Sequence, residues 1–128
     1  MVVTFGSPVT VGGVSIASGS ATPTFSVAGT VVTINLAGVT DVQRLAVTLS
    51  NVSSGANVGS VIIPMGVLSA DTNSSGAVSG TDVSQTKSAA STGTVTSANF
   101  RTDVNVSGSV NASDVSTVKG RSGNILPP

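Results

Sequence analysis

The chain has 128 residues, a mass of 12.3 kDa and a formal net charge of zero, from only five acidic and five basic side chains. It contains no His, Cys, Trp, Tyr or Glu. Most sites for general acid–base catalysis, nucleophilic catalysis or metal binding by thiolates therefore lack a required residue. We therefore expect no enzymatic activity. The weak, balanced charge argues against nucleic acid as a partner, and no apolar stretch approaches the ~20 residues that span a bilayer.

Residues 1–68 show the composition and periodicity of short β-strands. Val and Thr, which favour strands, supply 23 and 16 positions of the chain. Val2 to Thr4 lacks the features of a signal peptide and is predicted as the first strand. Apolar side chains then recur at a spacing of two, as in Val32-Ile34-Leu36 and Leu45-Val47-Leu49. The pattern predicts five or six antiparallel strands in a small β-sandwich that is Ig-like in architecture.

This half is short for a sandwich, because seven-stranded immunoglobulin-type domains take ~100 residues. We therefore expect at least one open sheet edge. Only Asp41 and Arg44 carry charge here. A Val- and Thr-rich edge with so little charge is a template for pairing with another chain.

After Leu68 the sequence becomes rich in Asp, Asn and Ser, and its apolar residues are more widely spaced. This change predicts a β domain at 1–68 and a second module at 69–128. Eight of the ten charged side chains lie beyond residue 70. The segment 71–87 recurs at 103–119 with nine of seventeen positions identical. The second module is therefore built from an internal repeat.

Each repeat begins with a twelve-residue segment, 71–82 or 103–114, that has the pattern of a calcium loop. Oxygen-bearing side chains stand at positions 1, 3, 5, 9 and 12, and Gly stands at position 6, where such a loop turns sharply. Four of the five carboxylates of the chain occupy positions 1 and 12. The apolar residues at position 8, Val78 and Val110, are expected to pair the two loops over a shared core. In the alternative interpretation the segments are Asx turns and helix caps without a metal.

The repeated pattern Asp-x-Asn-x-Ser-Gly-x-Val-x-x-x-Asp-Val-x-x-x-Lys resembles the type I dockerins, and the resemblance covers 71–123. Dockerins carry two calcium loop–helix motifs joined by a middle helix and fold upon binding two Ca²⁺ ions. They dock onto cohesins, which are β-sandwich domains, and the N-terminal half is itself similar to a small cohesin-like sandwich. The strand pattern and the resemblance together predict a mainly β, Ig-like sandwich followed by a small α module with two calcium loop–helix motifs.

The resemblance also implies the calcium ligands. Position 7 would contribute its carbonyl oxygen and position 9 would act through water. In the first loop the ligands would be Asp71, Asn73, Ser75, Ala77, Ser79 and Asp82. In the second loop they would be Asp103, Asn105, Ser107, Ser109, Asn111 and Asp114. Two features depart from the family: Ser replaces the usual Asp or Asn at position 5, and the cohesin-selecting positions 10 and 11 are Gly80-Thr81 and Ala112-Ser113.

Three further segments of the module carry expectations. Residues 96–101 are predicted as the middle helix, with Thr96 or Ser97 as N-cap and Phe100 facing the core. The basic residues Lys87, Lys119 and Arg121 would stabilise the negative ends of the helices or, alternatively, contact a partner. The end of the chain, at Ile125 and Leu126, would fold back onto the module or reach into a neighbouring molecule.

These features favour a non-catalytic, extracellular, calcium-stabilised structural module that assembles head to tail with copies of itself into a filament or surface layer. The alternative is the C-terminal anchoring fragment of a larger secreted enzyme that binds a cohesin. The partner would thus be a second copy of the chain or a cohesin-like β-sandwich. Asn51 heads the one N-glycosylation triplet outside the loops, so a glycan there or on Ser and Thr is compatible with the sequence.

Overall fold

All of the strands precede the helices along the chain. A computed structural model describes residues 1–128 and divides them into two units, Met1–Gly66 and Val67–Pro128. The strands are β1 (Val2–Thr4), β2 (Gly13–Ser18), β3 (Thr22–Ala28), β4 (Val31–Ala37), β5 (Gln43–Ser54) and β6 (Asn57–Val67). The helices are α1 (Gly80–Ala90) and α2 (Ala112–Gly120), with a short 3-10 helix at Phe100–Thr102 between them.

The N-terminal unit contains two three-stranded sheets, in the orders β1-β4-β3 and β2-β5-β6. In the first sheet β4 pairs antiparallel with both neighbours, so that Val32 lies opposite Val3 and Ile34 lies opposite Phe25. In the second sheet β2 pairs antiparallel with β5. A two-residue turn containing Gly29, with φ +59°, joins β3 to β4. Gly populates this left-handed region without steric cost.

The core of this unit comes from alternate residues of the two central strands. Val32 and Ile34 of β4 are fully buried, and so are Leu45, Val47 and Leu49 of β5. Their spacing of two puts each set on one face of its strand, as the sequence predicts. The β-rich character of the N-terminal half is thereby confirmed, and the structure has six strands where the sequence predicts five or six. Its classification as an Ig-like sandwich, and the domain boundary after residue 68, stay predictions.

The C-terminal unit is organised around its two helices. Val78 and Val118 are buried with Ala70, and Leu68, Val83 and Val104 pack against them. Val110, which matches Val78 in the repeat, is buried as well. The position 8 valines are thus core residues. None of the helices is long and apolar enough to cross a membrane.

The prediction that Val78 and Val110 pair the two loops with each other is wrong. The first loop bridges the end of the chain instead, with Ala77 opposite Ile125, and the second loop bridges the segment after α1, with Thr94 opposite Ser109. Within the chain, each loop is therefore bonded to the residues that follow the helix of the other repeat. Of the two alternatives for the C-terminal segment, the return onto the module is the one found, and the segment meets the first loop.

The expected middle helix is also different in the structure. Only Phe100–Thr102 is helical, as a single 3-10 turn, and its N-cap is Asn99 rather than Thr96 or Ser97. Phe100 is 58% exposed, with the guanidinium of Arg101 5.9 Å from its ring centroid. The buried residue of this turn is Thr102. Its hydroxyl donates to the carbonyl of Asn99 at 2.7 Å, which makes burial of the polar group tolerable.

Candidate functional site

The first loop gathers its oxygen atoms through one backbone amide. The N–H of Ser75 donates to Oδ1 of Asp71 at 3.0 Å and to Oδ1 of Asn73 at 2.9 Å. The N–H of Gly76 donates to the other oxygen of Asp71 at 2.8 Å. Side-chain oxygens from positions 1 and 3 therefore face the same point inside the turn.

Positions 5 and 7 add two more oxygens to this cluster. The hydroxyl of Ser75 lies 3.0 Å from the carbonyl oxygen of Ala77. The chain turns sharply enough for this contact because Ser74 and Gly76 are left-handed, with φ +61° and +84°. The ligand positions 1, 3, 5 and 7 of the first loop are thus brought together.

The second loop repeats this geometry almost atom for atom. The N–H of Ser107 donates to Oδ1 of Asp103 and to Oδ1 of Asn105, each at 3.0 Å, and its hydroxyl lies 3.0 Å from the carbonyl of Ser109. Gly108 has φ +84°, equal to that of Gly76, and donates to Asp103 at 2.9 Å. The repeat seen in the sequence is therefore a repeat of backbone conformation.

Positions 9 and 12 form the capping box at the start of each helix. Ser79 is the N-cap of α1, and Asp82 completes its capping box. Oδ2 of Asp82 accepts from the N–H and hydroxyl of Ser79 at 2.8 and 3.0 Å, while Oδ1 accepts from the amides of Thr72 and Asn73 at 2.9 and 3.3 Å. Asp82 is fully buried, so it ties the start of the loop to the start of the helix.

Asp114 makes the matching connection in the second loop. Asp114 is fully buried, and its carboxylate accepts from the backbone N–H of Asn105 at 3.3 Å and from the backbone N–H of Asn111 at 2.9 Å. Asn111 is the N-cap of α2. The alternative interpretation therefore describes positions 9 and 12 as helix caps and position 3 as an Asx turn, because Asn73 and Asn105 each accept from the backbone N–H two residues later. It leaves the convergence of positions 1, 5 and 7 on the same turn unexplained.

The surroundings of Asp82 favour its charged form. Burial by itself would raise the pKa of this carboxyl, but hydrogen bonds from Ser79, Asn73 and Thr72 outweigh burial and hold the pKa below its ordinary value. A carboxylate that accepts several N–H and O–H donors is stabilised as the anion. The first loop thus closes on a negative charge.

The donor set suits a hard cation. Every converging atom is a carboxylate, amide, hydroxyl or carbonyl oxygen, which are the ligands that Ca²⁺ prefers. No group of three or more carboxylates gathers in the structure. A cation in either loop would depend on neutral oxygens and water for the rest of the six to eight ligands that Ca²⁺ takes.

A groove between the two helices forms a second surface feature of this unit. Its volume is about 550 Å³. Lys87 and Lys119, which occupy the same position in the two repeats, both line it. Its other lining residues are small or apolar, namely Ala90, Ser91, Ala112, Val115 and Ser116. Both lysines lie in the last turn of their helices, as expected, but the groove between them is not evident from the sequence.

Comparison with known families gives one match, in the C-terminal part of the chain. Residues 69–121 match the family model of the Dockerin type I domain. The match supports a type I dockerin in the C-terminal part of the chain. Type I dockerin domains are calcium-binding protein–protein interaction modules that typically bind cohesins. No curated protein and no solved structure matches the chain.

Proposed function

We propose that the chain is a non-catalytic, extracellular docking protein whose dockerin unit is stabilised by two Ca²⁺ ions and binds a cohesin-type β-sandwich. The supporting observation is the repeated convergence of oxygens from positions 1, 3, 5 and 7 in a segment that matches the dockerin family. The twelve loop residues named above are the proposed calcium ligands. Attachment of a larger secreted enzyme to a cohesin-bearing scaffold fits this module better than a head-to-tail filament does.

In each proposed site, neighbouring groups of the loop orient the oxygens at positions 1 and 7. Asp71 and Asp103 contribute the charge at position 1, and their second oxygens are fixed by the amides of Gly76 and Gly108. Ser75 and Ser107 orient the neighbouring carbonyls at position 7. Because position 5 is a hydroxyl, each loop has two formal charges, and we expect weaker calcium binding than in loops with a third carboxylate.

Calorimetric titration with CaCl₂ tests the proposed sites. The unchanged chain should bind two ions, Asp71→Ala or Asp103→Ala should leave one, and the double variant should leave none. Asp41→Asn is the matched control, because it removes a carboxylate from the N-terminal unit. Two ions bound by the double variant would contradict the assignment of the loops.

The groove between α1 and α2 is the proposed docking face. The two lysines that line it are exposed, whereas the carboxylates of the same helices, Asp82 and Asp114, are fully buried. The exposed charge is therefore positive, and the complementary partner is a β-sandwich with an acidic surface. Exposed charges of this kind mainly affect the association rate and its salt dependence.

Surface plasmon resonance against a panel of cohesins, in calcium, tests the docking face. The double variant Lys87→Ala/Lys119→Ala should lower the association rate about tenfold at low salt, with a smaller loss at high salt. The control is Arg44→Ala, which removes a positive charge from the N-terminal unit. Equal association rates for Lys87→Ala/Lys119→Ala and for Arg44→Ala would show that the groove is not the docking face. No binding to any cohesin would refute the docking function.

A further inference from the structure

Strand β6 is an edge strand with little protection against pairing. It follows β5 at the end of the sheet order β2-β5-β6 and runs over Asn57–Val67. No charged residue occurs along it. Edge strands are usually protected by charge, proline, bulges or short length. Here the single proline, Pro64, leaves the segment 57–63 unprotected.

The exposed apolar side chains of β6 lie within that unprotected segment. Val58 is 67% exposed and Ile62 is 64% exposed. They are four residues apart and therefore on the same face of the strand, with Ser60 between them. On the opposite face, Val61 and Ile63 are only partly buried. Both faces of the segment thus retain apolar surface that an added strand would cover.

The spacing of these residues makes the segment complementary to itself. If a second copy pairs antiparallel about a two-fold axis at Ser60, Val58 of each chain lies opposite Ile62 of the other. Gly59 then lies opposite Val61, and Pro64 falls beyond the paired segment. Two uncharged strands approach without electrostatic repulsion, and apolar pairs directly across an antiparallel ladder are stabilising.

We propose that two copies of the chain associate through β6, antiparallel, with the two-fold axis at Ser60. The contact is isologous, because the same strand is used by both copies, and it closes as a dimer. A single pair of strands is smaller than a standard protein interface, so the dimer should dissociate on dilution. This association belongs to the N-terminal unit and is independent of the calcium loops and of the groove between α1 and α2.

Sedimentation velocity over a dilution series of the full chain is the first test. We expect a monomer–dimer equilibrium that is the same in calcium and in EDTA. Ile62→Lys should weaken the dimer at least tenfold, because it places a charge opposite Val58 at two equivalent points. Val39→Lys is the control, since it adds the same charge at an exposed position outside the sheets. A monomer at all concentrations, or a dimer formed only in calcium, would overturn the proposal.

Disulfide trapping tests the register without relying on a destabilising charge. The chain has no native cysteine, so single replacements report unambiguously. Directly opposed residues lie about 4.5–5.5 Å apart between Cα atoms, within the reach of a disulfide. Ser60→Cys should therefore crosslink to itself on mild oxidation, and Val58→Cys should crosslink to Ile62→Cys.

Control variants complete the trapping experiment. Val58→Cys alone should crosslink slowly, because its two copies would be ~13 Å apart along the strands, and Val39→Cys should behave in the same way. Circular dichroism would verify that each variant retains its strands. Equal crosslinking rates for Ser60→Cys and Val39→Cys would refute pairing in this register.

Discussion

At the scale of single residues, the two inward carboxylates connect the loops to the helices. Asp82 accepts hydrogen bonds from residues 72 and 73 at the start of its loop and from Ser79 at the helix N-terminus. An acidic side chain in the first turn also interacts favourably with the helix dipole. The loop and the helix should therefore lose their structure together when this carboxylate is lost.

The lowered pKa of Asp82 predicts a loss of stability in acid. Because the folded-state pKa lies below the unfolded value of about 3.9, the contribution of Asp82 is complete above that value and is lost as the pH falls through the folded pKa. Urea unfolding between pH 6 and pH 2.5, in EDTA, should show this decrease. Asp82→Asn should cost about 2 kcal/mol at pH 6 through unsatisfied donors and should show a shallower pH dependence. Asp41→Asn should retain the dependence of the unchanged chain, and an equally steep decrease in Asp82→Asn would contradict the assignment.

Val106 has an unfavourable backbone conformation at position 4 of the second loop. Its φ is +56°, in the left-handed region that a β-branched side chain rarely adopts, and it is 87% exposed. Val106→Asn should therefore stabilise the protein by about 1 kcal/mol, because Asn tolerates this conformation and no packing is lost. Thermal unfolding would measure the gain. The control Val39→Asn should give none, and a lower melting temperature for Val106→Asn would show that the valine has a stabilising contact.

At the scale of elements, the strands were predictable because their burial alternates. Val32 with Ile34, and Leu45 with Leu49, have the period of two that any half-buried strand imposes. The sharp turns of the two loops were predictable for a similar reason, since the bonds from Ser75 and Gly76 to Asp71 are local. Position 6 requires Gly in a left-handed conformation, and Gly76 and Gly108 of the two repeats both have φ +84°.

Contacts between distant segments were harder to predict. The sequence gives Val78 and Val110 as equivalent, but it does not show which backbone each loop meets. The structure pairs each loop with the segment that follows the other helix. The prediction of a middle helix was wrong for another reason. The side chain of Asn99 accepts from the N–H of Thr96 and donates to the carbonyl of Thr94, and these local hydrogen bonds compete with a regular helix. Phe100 consequently remains exposed, and the smaller Thr102 takes the buried position.

The reciprocal pairing predicts a specific role for the end of the chain. The backbone N–H of Val78 donates to the carbonyl of Asn124 at 2.8 Å, and the carbonyl of Val78 accepts from the N–H of Gly123 at 2.9 Å. The N–H of Leu126 donates to the carbonyl of Gly76 at 2.9 Å. Deletion of residues 123–128 should remove all three bonds and destabilise the first loop by about 2 kcal/mol. Hydrogen exchange should become faster at the amide of Val78 and change little at Val110, which donates to Gly93.

A shorter deletion is the control for this prediction. Removal of Pro127 and Pro128 alone retains the three hydrogen bonds and should leave exchange at Val78 slow. Equal acceleration at Val78 and Val110 after the longer deletion would show that the segment stabilises the unit as a whole rather than the first loop.

At the scale of the whole molecule, the two units differ in what holds them together. The N-terminal unit has a core of large aliphatic residues on β4 and β5, whereas the buried set of the C-terminal unit includes two carboxylates and several threonines. Eight of the ten charged residues lie in the C-terminal unit. A cation bound by that unit should therefore stabilise one part of the chain selectively.

Calcium removal should accordingly separate the unfolding of the two units. A ligand that binds only the folded state stabilises it by RT ln(1 + [L]/Kd), about 2.7 kcal/mol at a hundredfold excess over Kd. Chelation with EDTA should accelerate hydrogen exchange at the buried amide of Val118 and leave that of Leu45 unchanged. The double variant Asp71→Ala/Asp103→Ala should show fast exchange at Val118 with or without calcium. If chelation instead changed Leu45 and Val118 equally, the stability of the N-terminal unit would also depend on the ion, and the assignment of calcium to the C-terminal loops alone would be wrong.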